Sequence, residues 1–520
     1  MMIDSRTLEN IGRLIVDSIK TRCIPFRKNI MFNKAFTNNI FEKTLIMLST
    51  ICIGLLLGLN ALFLPPSWAL GIPITILVII TTIKHPSIGI LGVLFFLCTV
   101  IPEESVPIIN IGPGRLLITE LIVLAMFLFI IIRWLVERDF HFSTSPLNLP
   151  ILLFYIWALS ATIRALLWTD LTISESIPEI RIVSYYMVFY LVTNLIKNKS
   201  ELEFFIRGFF LLATGVAITM IVQFIIGTKI PFLPGRVEVL VTGQESYGNI
   251  TRIFDTPGES IITVCLIIKS IELFTSKLTI SKGFQVIQWA LLGTAMVLTF
   301  SRTHWLIVVL AFALAFLLTR KQDKRNFINW SYFLLFSVPL IILLIIAFPD
   351  SQAASLLNAS ADRFTSVLTV ETYTGSSDTS TLRWRDFEYK YAVPQILQHP
   401  IFGLGLGAIY RPPVYGIDDA WTNLQRYIHN SQLWIVVKTG LVGYFFLAWF
   451  SIVFLWRGFK NWRKISDPHK RGFFLGTTLS YVGILVASNI HPVFTVLFWT
   501  PIIGVIMGLN EVIIKEYLPN

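Results

Sequence analysis

Three basic side chains in the polar parts of the sequence could bind and activate a phosphate-linked substrate. Arg302 lies between two apolar runs, Arg385 lies in the long polar stretch 350–430, and His429 directly precedes the next apolar run. A guanidinium binds two phosphate oxygens and stays charged, and an imidazole can act as a base or a phosphate partner. Each residue taken alone also fits a structural role, as a headgroup-binding arginine or a packed histidine. Together they predict a site for an anionic, lipid-borne substrate.

The arginine of the polar stretch belongs to a predicted helix, Thr381–Gln398, with Ser380 or Thr381 as its N-cap. Arg383 and Arg385 are both on this helix, about 200° apart around its axis. Both therefore cannot point at one ligand. The residues leave the choice between the two open.

A glycine-rich turn follows this helix, with Gly403, Gly405 and Gly407 at alternate positions after Pro400. Glycine permits a tight approach of backbone to backbone or ligand. The turn lacks the Lys-Ser/Thr pair and the strand–helix context of a nucleotide loop, so we exclude nucleotide binding here. The full set of candidate substrate-binding residues is Arg181, Arg252, Arg383, Asn430, Gly403 and Gly405.

His429 opens an apolar run that is predicted to be one continuous helix. At 100° per residue, Gly440 and Gly443 would share its face, where small residues let another helix pack closely. Lys438 would point the opposite way and serve another purpose or extend to the membrane surface. Glu120, inside another apolar run, is expected to pair with a basic group.

The composition decides the fold class. The chain has 520 residues, 54% hydrophobic, only 14% charged, and a mean hydropathy of +0.71, whereas soluble domains carry about 25% charged residues. Continuous apolar runs predict an all-α, polytopic integral membrane protein with about 12–14 transmembrane helices and one large outer loop. The net charge of +11 lies largely between apolar runs, where it sets orientation, so it does not indicate nucleic acid. Four scattered cysteines give no disulfide framework or zinc spacing, and we expect no metal or cofactor.

The distribution of Lys and Arg predicts the topology, with basic clusters on the cytoplasmic side. Both termini are then cytoplasmic, and the polar stretch faces outward. The predicted segments are a basic N-terminal segment (1–43), transmembrane helices with an outer loop at 227–259 (44–348), a large outer loop carrying the site helix (349–430), C-terminal transmembrane helices (431–510) and a cytoplasmic tail (511–520).

These motifs resemble the O-antigen ligase and polymerase superfamily over roughly residues 180–510. The run His429–Gly443 fits the ligase signature without a gap: His, Asn/Ser/Gln, nine residues, Gly, two residues, Gly/Thr/Tyr. Arg385 followed by Pro400–Gly405 fits an arginine-bearing helix that runs into Pro-x-x-Gly-x-Gly. Ser301-Arg302-Thr303 fits a Ser-Arg-Gly-like start of a span, with Thr303 where glycine is usual.

The resemblance implies an inverting, metal-independent glycosyltransferase of the bacterial inner membrane. The donor would be a glycan on undecaprenyl diphosphate at the outer leaflet. Arg302 and Arg385 would hold the diphosphate as it leaves, and His429 would position or deprotonate the acceptor hydroxyl. The expected partners are the lipid-linked donor, a glycan or lipid acceptor and membrane lipid, with a chain-length regulator or other export component as a further candidate.

Two alternatives stay open at this stage. A polymerase would use a second lipid-linked unit as acceptor, whereas a ligase would use lipid A core or another acceptor, and the number of apolar runs favours the polymerase. A membrane transporter of a small anion or polysaccharide precursor would have broken helices and ionisable groups near the bilayer midplane, often in repeated halves. Only Glu120 and Lys438 lie well inside apolar runs, and no repeat is visible.

Overall fold

The computed structural model describes most of the chain after residue 84. The described residues are 85–101, 108–111, 114–137, 142–230, 233, 235–242, 245–254, 256–275, 283–319, 324, 352–365, 381–413 and 425–518. The predicted N-terminal segment 1–43 and the apolar runs at 44–64, 67–83 and 330–348 lie outside them.

The described residues form helices joined by short turns and two small hairpins. The helices are α1 (Pro86–Leu97), α2 (Ile118–Glu137), α3 (Asn148–Trp168), α4 (Ile173–Ser184), α5 (Val188–Leu195), α6 (Lys199–Ile226), α7 (Gly258–Thr275), α8 (Gly283–Leu298), α9 (Arg302–Leu318), α10 (Gln352–Thr365), α11 (Thr381–Gln398), α12 (Ser431–Asn461), α13 (Pro468–Ala487) and α14 (Thr500–Tyr517). Single 3-10 turns follow α4 and α12, at Tyr185–Met187 and Trp462–Lys464.

The apolar content of these helices confirms the predicted all-α, polytopic membrane fold. Within the described part of the chain, α2, α3, α6 and α12 are long and apolar enough to cross a membrane. Shorter apolar helices are α1, α8 and α9. The last apolar run predicted from the sequence, 493–510, corresponds to α14, although this helix starts later than predicted. Residues 488–499 form turns, and α14 begins only at Thr500.

Two antiparallel hairpins were not expected from the sequence. Strands β1 (Ile108–Ile111) and β2 (Gly114–Leu117) lead into α2, and β3 (Arg236–Thr242) pairs with β4 (Glu245–Phe254) before α7. Each is a two-stranded ribbon in a connection between helices. A connection of this kind leaves the fold class unchanged.

The packed centre lies between α7 and α13. Every residue of α7 is buried. Gly472 and Gly476 on α13 lie so close to α7 that an added Cβ would lie 2.8 Å from the Cα of Glu272 and 2.7 Å from the Cα of Ile268. Small residues that bring helix backbones together are the usual means of packing apolar helices in a membrane. Close backbone packing of this kind joins α7 to α13 directly.

Candidate active site

Helix α11 carries the arginine favoured by the sequence, and its bounds agree with the predicted helix. Arg385 is half-buried, and its Nη2 donates a hydrogen bond to the carbonyl oxygen of Ile490 at 2.9 Å. Glu388 lies one turn further along and is 1% exposed. Residues three apart on a helix are neighbours on one face, so α11 presents a guanidinium and a carboxylate side by side.

His429 is held against that face by Glu388. The backbone N–H of His429 donates to Glu388 Oε2 at 3.0 Å, and the ring Nδ1 lies 2.6 Å from Glu388 Oε1. The imidazole side chain is 30% exposed, whereas the carboxylate is buried. Tyr427 packs edge-on against the ring with 5.0 Å between centroids. One edge of the imidazole is therefore fixed, and the ring keeps an open side.

Asn430, the next residue, forms a second contact between α12 and α11. Asn430 is the N-cap of α12, since its side-chain oxygen accepts the N–H of Leu433 at 3.0 Å. Its amide donates to the Tyr389 hydroxyl at 2.5 Å. Adjacent residues of α11 therefore bind the adjacent residues His429 and Asn430, which fixes the register between the two segments.

A third segment, the 488–491 turn (residues 488–491), completes the arrangement. Ser431 binds it through its N–H and hydroxyl, both to the Ser488 carbonyl oxygen, at 2.9 and 3.0 Å. The same turn supplies the carbonyl of Ile490 that Arg385 binds. Since α11, the start of α12 and this turn all contact one another, Arg385 and His429 lie in one cluster.

His491 connects this cluster to the start of α9. Its ring lies 5.3 Å from the ring of His304, centroid to centroid. Burial lowers the pKa of His491 well below its usual range, and the nearby His304, His429 and Arg385 lower it further. Arg302 is the first residue of α9, half a turn before His304. The start of α9 therefore packs, through His304, against the segment that holds Arg385 and His429.

The connection before α9 has an unusual backbone. Phe300 is fully buried and has φ 49°, in the left-handed region that non-glycine residues rarely adopt. Its ring packs near Trp305, with 6.3 Å between centroids. Strained residues of this kind persist where the surroundings hold them, and they are concentrated at functional sites.

The glycine-rich turn is built into a break of α12. Gly403, Gly405 and Gly407 have φ of 66°, 88° and 89°, and α12 itself is non-helical at Gly440, with φ 70° and ψ −177°. The N–H groups of Leu404 and Gly405 donate to the carbonyls of Val437 and Lys438 at 2.8 and 2.9 Å, and Leu441 N–H donates to Pro400 O at 2.8 Å. The turn therefore satisfies the backbone groups that the break leaves without helical partners.

The comparison with known families agrees with this geometry. Residues 289–448 match the family model described as O-antigen ligase. This part of the chain is therefore similar to the O-antigen ligase family. A search among curated proteins found no match. The matched segment contains Arg302, Arg385 and His429, and the family and the apolar helices together support a membrane enzyme of polysaccharide biosynthesis.

Outside the cluster of Arg385 and His429, two predicted substrate-binding arginines have protein partners. Arg181 Nε donates to Glu120 Oε1 at 2.8 Å, and its Nη2 donates to the carbonyl of Arg115 at 2.6 Å. This contact confirms the expected basic partner of Glu120. Arg252 Nη1 lies 3.3 Å from Glu238 Oε1, and its guanidinium lies over the Phe254 ring at 3.7 Å.

The remaining predicted substrate-binding residues have mixed outcomes. Arg383 lies on α11, but its side chain is outside the described part of the structure. A Cβ on Gly403 would lie 2.6 Å from the backbone of α12, so packing accounts for this glycine. Gly405 likewise packs on α3, where its Cβ would lie 2.6 Å from Ala165. Contact of any of these residues with substrate stays a prediction.

For α12, one of the two alternatives for Lys438 is excluded, and the predicted alignment of His429 with two glycines was wrong. Lys438 does not extend to the membrane surface, because it is fully buried and its Nζ donates to Glu179 Oε1 at 2.8 Å. The projection that aligned His429 with Gly440 and Gly443 also fails, since it assumed one unbroken helix. His429 precedes the N-cap, and the break at Gly440 changes the direction of every later side chain.

Sequence reasoning missed Glu388, Glu179, His304 and His491. Glu388 could have been noticed as an acidic residue one turn after Arg385, but that spacing usually indicates an exposed ion pair on a helix surface. His304 and His491 are single histidines in or beside apolar runs, a pattern without specific meaning. Glu179 contacts a residue 259 positions away, and nothing in a single sequence connects the two.

Proposed function

We propose that this chain is an inverting, metal-independent glycosyltransferase that uses a glycan on undecaprenyl diphosphate at the outer face of the bacterial inner membrane. The observation that carries the proposal is the position of Arg385 and His429. One face of α11 holds both, the arginine directly and the histidine through Glu388. A fixed cation beside a half-open imidazole suits transfer from a diphosphate-linked donor.

The arginines act on the leaving group. An acceptor oxygen bonds to the anomeric carbon while the bond from that carbon to the diphosphate oxygen breaks, and negative charge grows on the departing diphosphate. Preorganised donors stabilise charge where it develops. The guanidinium of Arg385 supplies a planar fork for phosphate oxygens. Arg302, at the start of α9 beside the 488–491 turn, is the proposed second phosphate ligand.

His429 acts on the acceptor. Its exposed side can take the proton of the acceptor hydroxyl as the new glycosidic bond forms. A single displacement of this kind inverts the anomeric configuration. The acceptor is a second lipid-linked unit in a polymerase, and lipid A core or another molecule in a ligase. Both versions use the same residues.

The test is surface polysaccharide in a deletion strain complemented with wild type, Arg302→Ala, Arg385→Ala or His429→Ala at equal protein levels. We expect each variant to lose long glycan while lipid-linked units accumulate. Arg385→Lys is the matched control. It keeps the positive charge but cannot bind phosphate oxygens in the bidentate geometry of a guanidinium, so it should retain part of the activity. The length of the remaining ladder separates a polymerase from a ligase. Normal glycan in all three alanine variants would contradict the proposal.

A transporter is the second candidate, because α12 is broken beside an ionisable pair, as in many transporters. Against it, the break is filled by the glycine-rich turn, and Lys438 is fully buried. Purified protein mixed with lipid-linked donor in detergent distinguishes the two. Chain growth in detergent supports transfer, because a transporter needs a sealed membrane to act.

A further inference from the structure

Glu388 directs both of its carboxylate oxygens at one residue. Oε2 accepts the backbone N–H of His429 at 3.0 Å, and Oε1 lies 2.6 Å from its Nδ1. The carboxylate is 1% exposed, and α11 is otherwise a polar helix with exposed positions on both sides of it. Burial of a carboxylate costs free energy unless it is well hydrogen-bonded. A surface helix would not bury this group for packing alone.

The contact decides which nitrogen of His429 is available. An ionised carboxylate only accepts hydrogen bonds, so Nδ1 carries a proton when it faces Glu388 Oε1. The lone pair of the neutral imidazole is then on Nε2, on the half-open side of the ring. Hydrogen bonding at one ring nitrogen commonly sets the role of the other in this way.

We propose that Glu388 is a positioning residue for glycosyl transfer. It keeps His429 in the tautomer whose Nε2 can receive the acceptor proton, and its negative charge balances the imidazolium that results. The proton passes from the acceptor hydroxyl to Nε2, Glu388 stays ionised, and the imidazolium returns the proton to water after the diphosphate has left. This inference rests on the proposed function.

A neighbouring contact between the same two segments, α11 and the start of α12, offers a matched control for Glu388. Tyr389 and Asn430 form the neighbouring bridge between α11 and α12, at 2.5 Å, and this bridge does not involve the imidazole. Tyr389→Phe removes it and weakens the docking of the two segments. Glu388→Gln keeps the size of the side chain but removes its charge, and its amide can donate to Nδ1 and favour the wrong tautomer.

The experiment uses the full-length protein in detergent with lipid-linked oligosaccharide extracted from the deletion strain. Release of undecaprenyl diphosphate gives the rate. We expect Glu388→Gln and Glu388→Ala to lower kcat on the order of 10²- to 10⁴-fold, the range for positioned bases and their orienting carboxylates. Donor KM should change by less than about threefold, since binding of the diphosphate is untouched. Tyr389→Phe should cost no more than about tenfold, because it removes one neutral hydrogen bond.

A double variant tests whether Glu388 acts through His429. If it does, Glu388→Ala/His429→Ala is no slower than His429→Ala alone, because residues that act as a unit are not additive. A multiplied loss in the double variant, or wild-type kcat in Glu388→Gln, would overturn the role of Glu388. Wild-type rate in His429→Ala would instead overturn the proposed base, so the two failures are distinguishable. Should Glu388→Ala not fold, the isosteric Glu388→Gln still decides.

Discussion

Lys438 and Glu179 form a buried ion pair where α12 breaks. Lys438 Nζ donates to Glu179 Oε1 at 2.8 Å and to the carbonyl of Ala408 at 2.6 Å. The N–H of Gly407 donates to Glu179 Oε2 at 2.5 Å. The pair therefore joins α4, the glycine-rich turn and α12. It fixes the turn that connects the arginine helix α11 to the loop ending at His429.

Removing one member of this pair should destabilise the protein strongly. Lys438→Met leaves the Glu179 carboxylate buried without its cation, a change that costs about 3–5 kcal/mol in buried pairs. Lys438→Met/Glu179→Leu removes both charges and should be more stable than Lys438→Met alone. Thermal unfolding in detergent measures this. A double variant less stable than Lys438→Met would show that the pair is not a mutually dependent unit.

Alanine at Gly440 should disrupt the break in α12. Its φ of 70° is unfavourable for alanine, and the added Cβ would clash with the backbone of Ile401. We expect lower thermal stability and loss of glycan synthesis. Gly293→Ala on α8 is the control, since the nearest atom to its Cβ is 4.0 Å away and alanine favours a helix by about 1 kcal/mol. Equal effects at both positions would argue against a required break.

Acid should destabilise the protein in part through His491. Burial lowers its pKa in the folded state, so below about pH 6.5 the unfolded chain binds a proton that the folded chain does not. The free energy of unfolding then falls as the pH drops. His491→Asn should reduce this fall between about pH 7.5 and pH 5.5, roughly one unit on either side of the unfolded pKa. His85→Asn, at an exposed position, should leave it unchanged. An unchanged pH slope in His491→Asn would contradict the prediction.

The pair of Arg181 and Glu120 should act on stability rather than on transfer. Arg181→Ala removes a charged hydrogen bond, with an expected loss of about 1.5–3 kcal/mol. Glu120→Ala should have a similar effect, and the activity per folded molecule should persist in both. Arg385→Ala should do the reverse, with normal folding and lost activity. Loss of activity without loss of stability in Arg181→Ala would support its predicted contact with substrate.

Local patterns in the sequence were sufficient to predict several features of the protein. The fold class follows from apolar runs that only a bilayer can accommodate. The bounds of α11 follow from capping and composition, and the motifs around Arg302, Arg385 and His429 were sufficient to recognise the family resemblance. Close backbone packing at Gly403 could also be predicted from the local sequence, because a glycine-rich turn allows another backbone segment to approach it.

Other features depend on contacts between distant parts of the chain, and only the tertiary structure determines them. The partner of Lys438 could not be read from the sequence, because Glu179 lies 259 positions away along the chain. The break at Gly440 depends in the same way on the glycine-rich turn, which supplies hydrogen bonds to the freed backbone of α12. Glu388 looks like a surface acid until α12 covers it and His429 binds it. The sequence by itself determined which residues have suitable chemistry, because that depends on residue type and local spacing. The structure decided which of them act together, because burial and pairing depend on the packing of the whole chain.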